Sequence, residues 1–197
     1  MNREILSPEV AAAMFRETGA LLEGHFRLTS GLHSSQYMQC ARVLQFPSYA
    51  SRLGEELARR FHGRGVQVVI GPAMGGIIVA QEVARALGDP VRSIFAEREE
   101  GKMTLRRGFS LQPGERVLVV EDVITTGGSV KEVIDLVREK GGEVVGVGVL
   151  VDRSGGEVKF GLPLEAVLSL KITSYPPDRC PLCAQGLPTV KPGSRKG

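Results

Sequence analysis

The chain has 197 residues, 42% hydrophobic and 24% charged, with a formal net charge of +3 at pH 7. That length favours a single domain, 1–197, with enough chain for a substantial core, and the composition is that of an ordinary soluble globular protein. No basic tract or aromatic-interleaved basic stripe supports nucleic-acid binding, and no apolar run is long enough to span a bilayer. Met1-Asn2-Arg3-Glu4-Ile5 lacks the apolar core of a signal peptide, so the expected compartment is the cytoplasm, with neither membrane nor nucleic acid as partner.

Pro8 to Leu22 reads as an amphipathic helix, with Ser7 as its N-cap, Pro8 in the first position, and Val10, Met14, Leu21 and Leu22 apolar. Phe26 to Gly31 and then Ser34 to Gln39 alternate polar and apolar residues about a turn, which predicts a hairpin over Phe26 to Gln39. Pro47 to Phe61 is a second helix, with Tyr49, Leu53, Leu57 and Phe61 on one side and Gly63 closing it. Val66 to Ile70 is a strand, Gly71-Pro72-Ala73-Met74-Gly75-Gly76 a tight turn, and Ile77 to Leu87 a helix. Such a unit aims backbone N–H groups at an anion, although by itself it is common in α/β proteins. Val91 to Phe95 is a further strand. Glu97 to Phe109 is charged, glycine-flanked and poor in core residues, and it reads as a mobile loop with a basic tip.

The most informative stretch is Val117-Leu118-Val119-Val120-Glu121-Asp122-Val123-Ile124-Thr125-Thr126-Gly127-Gly128-Ser129. An apolar run suited to a buried strand meets two adjacent carboxylates and a hydroxyl- and glycine-rich turn. Val130 to Arg138 then has helical periodicity. Backbone N–H groups of Thr126 to Ser129, at the positive end of a helix dipole, make a phosphate cradle, and Thr125, Thr126 and Ser129 add hydroxyl donors. Glu121 and Asp122 accept hydrogen bonds and so suit the vicinal hydroxyls of a sugar; phosphate plus diol describes a ribose 5-phosphate. Acids that merely cap the helix are the plainer alternative. A Walker loop is absent, which disfavours nucleoside triphosphate hydrolysis.

Glu143 to Val151 is a strand followed at once by Asp152-Arg153. Arg153, at the cradle's edge of the sheet, is placed for a planar carboxylate, with a salt bridge to Asp152 as the ordinary alternative. Ala166 to Ile172 is the last strand, and the tail from Pro176 is irregular. Cys40, Cys180 and Cys183 form no disulfide framework. Cys180-Pro181-Leu182-Cys183 has the spacing of half a zinc site, but His25, His33 and His62 are distant in sequence, which favours two plain thiols in a C-terminal turn.

The segment from Val117 to Ser129 resembles the phosphoribosyl-pyrophosphate motif of type I phosphoribosyltransferases. Phe26-x-Leu28-x-Ser30-Gly31, with Tyr37 beyond, is similar to the N-terminal hood of the orotate-specific branch. The resemblance implies that Val123, Ile124, Thr125, Thr126, Gly127, Gly128 and Ser129, with Glu121 and Asp122, bind phosphoribosyl pyrophosphate. It puts Met74 and Gly75 on the pyrophosphate, and Tyr37, Met38, Thr125 and Arg153 beside orotate. Thr29 stands where many members carry a pyrophosphate-directed Lys. In the charged loop Arg98 and Lys102 match the family's loop cations; Glu99 and Thr104 replace a Lys and a His, so Arg106 is the candidate for the missing charge.

The family implies a mostly parallel α/β sheet flanked by helices, with a core over about 64–152 and a hood from about 1–45 plus the tail, which agrees with the alternating strands and helices. It implies catalysis by Lys102, Glu121 and Asp122, a homodimer with shared active sites, and Mg²⁺ carried by the substrate with no metal-binding residues in the protein. The expected reaction joins orotate to phosphoribosyl pyrophosphate, giving orotidine 5′-phosphate. A purine-directed transferase, a non-catalytic sensor of phosphoribosyl pyrophosphate and a synthase of it are the alternatives. Arg153 and the hood, the lack of a basic surface, and the lack of an ATP site weigh against them in turn.

Overall fold

The computed structural model describes residues 5–28 and 30–192. Helix α1 (Pro8–Glu17) starts as expected, with Pro8 in its first turn and the Val10 N–H donating to Ser7 Oγ at 3.3 Å. It stops short of Leu22 because Thr18 closes back on Met14 and Gly19 turns left-handed at φ 64°. Leu21 and Leu22 instead open strand β1 (Leu21–Arg27), which pairs antiparallel with β2 (His33–Met38), a hairpin beginning earlier than expected. A register shift between Glu23 and Phe26 bends β1 around His25.

Helices α2 (Ala41–Leu44) and α3 (Pro47–Arg60) follow. Leu53, Leu57 and Phe61 are wholly buried, each contributing roughly 1.5–3 kcal/mol by leaving water. Strand β3 (Val68–Pro72) leads into α4 (Gly75–Leu87), and β4 (Arg92–Glu99) pairs antiparallel with β5 (Lys102–Leu105). The charged segment expected as a loop is therefore largely a hairpin. Glu100 and Gly101, both at positive φ, make its tight turn, while Met103, Leu105 and Phe109 pack on the core.

Strand β6 (Arg116–Ile124), helix α5 (Gly128–Glu139), and strands β7 (Glu143–Asp152) and β8 (Leu164–Ser169) complete a six-stranded sheet of order β5-β4-β3-β6-β7-β8. All pairs are parallel except β4 with β5, and β8 carries the sheet past the expected limit at 152. Along β6, Leu118 and Val120 face α1, α3 and α4, while Val117 and Val119 face α5. A strand covered on both faces reads as an unbroken apolar run. No helix among the described residues is long and apolar enough to cross a membrane.

The tail returns to the hood. Strand β9 (Ser174–Tyr175) joins β2, a 3₁₀ turn spans Pro177–Arg179, and α6 (Pro181–Ala184) follows. Val190 exchanges backbone hydrogen bonds with His25 and Arg27. This folding brings Cys180 and Cys183 against His25 and His33, so the thiols expected as plain turn residues have imidazole neighbours.

Candidate active site

Strand β6 runs on through the acidic pair to Ile124 before the chain turns at Thr125–Gly127. Gly127, at φ 73°, is the residue before α5; a Cβ there would lie 2.9 Å from Val158 Cγ1 and Phe160 Cζ, so both backbone and space demand glycine. Lys131 N–H donates to the Gly127 carbonyl, which leaves the preceding N–H groups ahead of the first helical bond, as an anion requires. Glu121, Val123, Ile124, Thr125, Thr126, Gly127, Gly128 and Ser129 are brought together around a cavity of about 350 Å³ that Glu132 also lines.

The acids do not cap the helix. The Asp122 N–H donates to Glu121 Oε1 at 3.0 Å, and the Val123 N–H to Asp122 Oδ1 at 2.7 Å. Glu121 is 9% exposed. Burial first, and then the neighbouring Asp122, push its carboxyl up to about 9; burial also raises Asp122. Without a ligand Glu121 thus holds a proton, which a cationic or hydroxyl-bearing partner would displace or use.

The second Gly-rich turn meets this pair directly. A Cβ on Gly75 would stand 2.3 Å from Asp122 Oδ2, and one on Gly71 2.4 Å from the Gly76 carbonyl. Met74, preceded by a cis peptide bond, is 82% exposed at the rim. The two Gly-rich turns therefore sit side by side at the carboxyl ends of neighbouring strands β3 and β6.

Arg153 follows β7, its N–H held by the Ile124 carbonyl at 2.9 Å. The expected alternative partner, Asp152, is buried and accepts instead from the Ser154 N–H at 2.7 Å. Arg153 Nε is buried without a hydrogen-bond partner among the described residues, and burial lowers the guanidinium's affinity for its proton while Tyr37 and Cys40 raise it. Tyr37 packs on Phe26 at 5.9 Å. Met38 is 4% exposed in the core beneath β2, so its side chain is not available to a ligand and only its backbone is. Cys40, which no sequence signal marked, places its Sγ 3.7 Å from the Asp122 carbonyl and joins the hood to the acids.

The hairpin cations are mostly engaged. Arg98 binds the Gly101 carbonyl and pairs with Glu132 at 2.9 Å, Arg107 pairs with Glu97 at 2.7 Å, and Arg106 with Glu99 at 3.4 Å. Lys102, exposed beside the turn, has no ion pair among the described residues. Arg106, like Arg98, would have to exchange its carboxylate partner to meet a ligand. Thr29 lies outside the described residues.

A parallel sheet with a phosphate cradle, an acidic pair and a second anion loop at one edge defines a phosphoribosyl transferase domain, and the family model of that description matches residues 50–160. An orotate phosphoribosyltransferase of Desulforamulus reducens is 65% identical over 196 residues, covering 100% of this chain and 99% of its own. Among solved structures, the orotate phosphoribosyltransferase of Aeropyrum pernix is similar with a TM-score of 0.65 at 33% identity, over 81% of this chain and 93% of its own. That of Mycobacterium tuberculosis, in complex with 5-phospho-α-D-ribosyl 1-diphosphate, has a TM-score of 0.64 at 26% identity, over 83% and 90%. The chain belongs to the orotate phosphoribosyltransferase family.

Proposed function

We propose that the chain transfers the 5-phosphoribosyl group from phosphoribosyl pyrophosphate to orotate, releasing pyrophosphate and giving orotidine 5′-phosphate in pyrimidine biosynthesis. The observation that carries the choice of orotate is Arg153: a half-buried guanidinium whose buried Nε has no partner among the described residues, beside Tyr37 and one strand away from the cradle. A base bearing a carboxylate satisfies that donor; an unsubstituted purine does not.

The Thr125–Ser129 turn takes the 5-phosphate, and its remote binding energy holds the anomeric carbon in place. Glu121 and Asp122 accept from the ribose hydroxyls and set negative charge beside a sugar that becomes cationic as pyrophosphate leaves. Met74 and Gly75 present the second loop to the pyrophosphate. Lys102 neutralises charge developing on it, and Arg98 joins by exchanging Glu132 for phosphate oxygen. Orotate N1, losing its proton to the departing pyrophosphate or to solvent, then bonds to the anomeric carbon while the bond to pyrophosphate breaks.

Two neighbouring carboxylates are hard oxygen donors without a third protein ligand among the described residues, which suits Mg²⁺ delivered on the substrate rather than caged by the protein. When bound, Mg²⁺ supplies charge neutralisation on the pyrophosphate. The family reading extends to a cytoplasmic homodimer in which Lys102 serves the neighbouring subunit's site. Loss of orotate's ultraviolet absorbance on adding phosphoribosyl pyrophosphate and Mg²⁺, with adenine, guanine and uracil in parallel, tests the proposal. Turnover of another base in place of orotate refutes the role of Arg153, and binding without any turnover favours a sensor.

A further inference from the structure

Away from the catalytic edge, four side chains converge where the tail crosses the hood. His25 lies in the bulged part of β1 and His33 opens β2, while Cys180 and Cys183 flank the first turn of α6. Their ligand atoms all lie within 4.8 Å of one another, and His25, His33 and Cys180 are buried. His25 Nε2 is 2.9 Å from His33 Nδ1, 3.5 Å from Cys180 Sγ and 3.7 Å from Cys183 Sγ; Cys183 Sγ is 3.2 Å from His33 Nδ1.

Hydrogen bonding alone does not account for this grouping. His25 Nδ1 lies 2.8 Å from the Leu187 carbonyl, which can only accept, so Nδ1 carries the proton and Nε2 carries a lone pair. A single lone pair is thereby approached by an imidazole nitrogen and two sulfurs at once. One cation at the centre engages all four atoms.

We propose that His25, His33, Cys180 and Cys183 form a structural zinc site. With bonds of about 2.0 Å to nitrogen and 2.3 Å to sulfur, a tetrahedral zinc sets its ligands about 3.3 Å apart for two nitrogens and about 3.5 Å for nitrogen and sulfur. The nitrogen–sulfur separations of 3.2, 3.5 and 3.7 Å bracket the second edge, and the nitrogen pair, at 2.9 Å, lies inside the first and would open on binding. Two thiolates with two imidazoles in a tetrahedron is a donor set that selects Zn²⁺ over Mg²⁺ or Ca²⁺. The Leu187 carbonyl is the outer partner that fixes the His25 tautomer, as metal-bound imidazoles require. All four protein ligands leave no position for substrate, and His33 is four residues along β2 from Tyr37, roughly 13 Å at strand rise. The site is thus a closed structural one that staples the C-terminal tail to the hairpin carrying Tyr37. Binding releases the two thiol protons to solvent.

The test is elemental analysis of the full-length protein purified under reducing conditions, followed by cobalt substitution. The expected result is stoichiometric zinc per chain. Replacement by Co²⁺ should give intense tetrahedral d–d bands and thiolate-to-cobalt charge transfer. Cys180→Ser and Cys183→Ser each lose the metal, while Cys40→Ser, whose thiol lies elsewhere, keeps it. Should the ligand variants fail to fold, the wild-type cobalt spectrum decides alone. Reduced wild-type protein that takes up neither zinc nor cobalt overturns the proposal, as does metal retained in the doubly substituted Cys180→Ser/Cys183→Ser chain. A Cys180–Cys183 disulfide in metal-free purified protein overturns it also.

Discussion

Replacing Arg153 by alanine isolates the residue that selects the base. In the free protein its guanidinium is half-buried, unpaired at Nε among the described residues and disfavoured by desolvation. No described residue loses a hydrogen-bond partner at Nε when it goes, and relief of a half-buried charge offsets the packing lost with the aliphatic stem. The melting temperature of free Arg153→Ala should therefore stay close to that of wild type. Orotate, by contrast, loses a charge-assisted hydrogen bond worth ~1.5–3 kcal/mol, which converts to roughly a 10- to 150-fold rise in its KM. The KM for phosphoribosyl pyrophosphate should barely move. Arg153→Lys keeps the charge but not the planar fork, and should recover only part of the loss. Steady-state kinetics varying each substrate in turn, with thermal melts with and without orotate, make the measurement. An orotate KM unchanged in Arg153→Ala, or equal losses for the two substrates, would refute the reasoning.

Lys102→Ala should cut kcat by ~10²–10³ with an unchanged melting temperature, because the side chain is exposed and has no ion pair among the described residues; a fall below tenfold sinks its catalytic role. Gly75→Ala puts a methyl 2.3 Å from Asp122 Oδ2, so phosphoribosyl pyrophosphate binding should weaken sharply, with ~1–3 kcal/mol of stability lost to overpacking. Equilibrium binding and denaturant melts read both effects, and unaltered binding would separate the second loop from the acids. Glu121→Gln tests the raised carboxyl. Because the folded protein keeps a proton there that the unfolded chain has lost between pH 4.5 and about 9, wild-type stability should fall as pH rises through that window. The variant removes this slope, so ligand-free Glu121→Gln should gain on wild type from pH 5 to 9 while losing activity. Melting curves of the two proteins that run parallel against pH would refute this, showing Glu121 already ionised in the free protein.

The sheet and the cradle were legible because their signals are local. Four apolar residues, two acids and a glycine turn lie in one continuous stretch, and Leu53, Leu57 and Phe61 keep helical spacing. The end of α1 was not legible: Leu21 and Leu22 suit a helix face as well as a strand, and the left-handed Gly19 decides between them. The β4–β5 hairpin was hidden by its charges: Glu97-Arg98-Glu99-Glu100 and Lys102 mask the short alternation of Met103 and Leu105 that packs on the core, and edge pairing holds the rest. Met38 beside Tyr37 illustrates the limit of a resemblance: adjacent strand residues point to opposite faces, and one of the two had to enter the core. The histidine–cysteine cluster was invisible for another reason. His25 and Cys180 are 155 residues apart, and only the tail's return across the hood joins them.

The ion pairs of the hairpin bear on how ligands arrive. Arg98, Arg106 and Arg107 are each matched to a carboxylate, Glu132, Glu99 and Glu97 in turn. A mouth so neutralised projects little field into solvent, whatever its count of arginines. Polyanions drifting past gain nothing from it at a distance, and association with phosphoribosyl pyrophosphate should depend only weakly on ionic strength. Selectivity among cellular phosphates then rests on fit within the turn, and discrimination happens after contact rather than during approach.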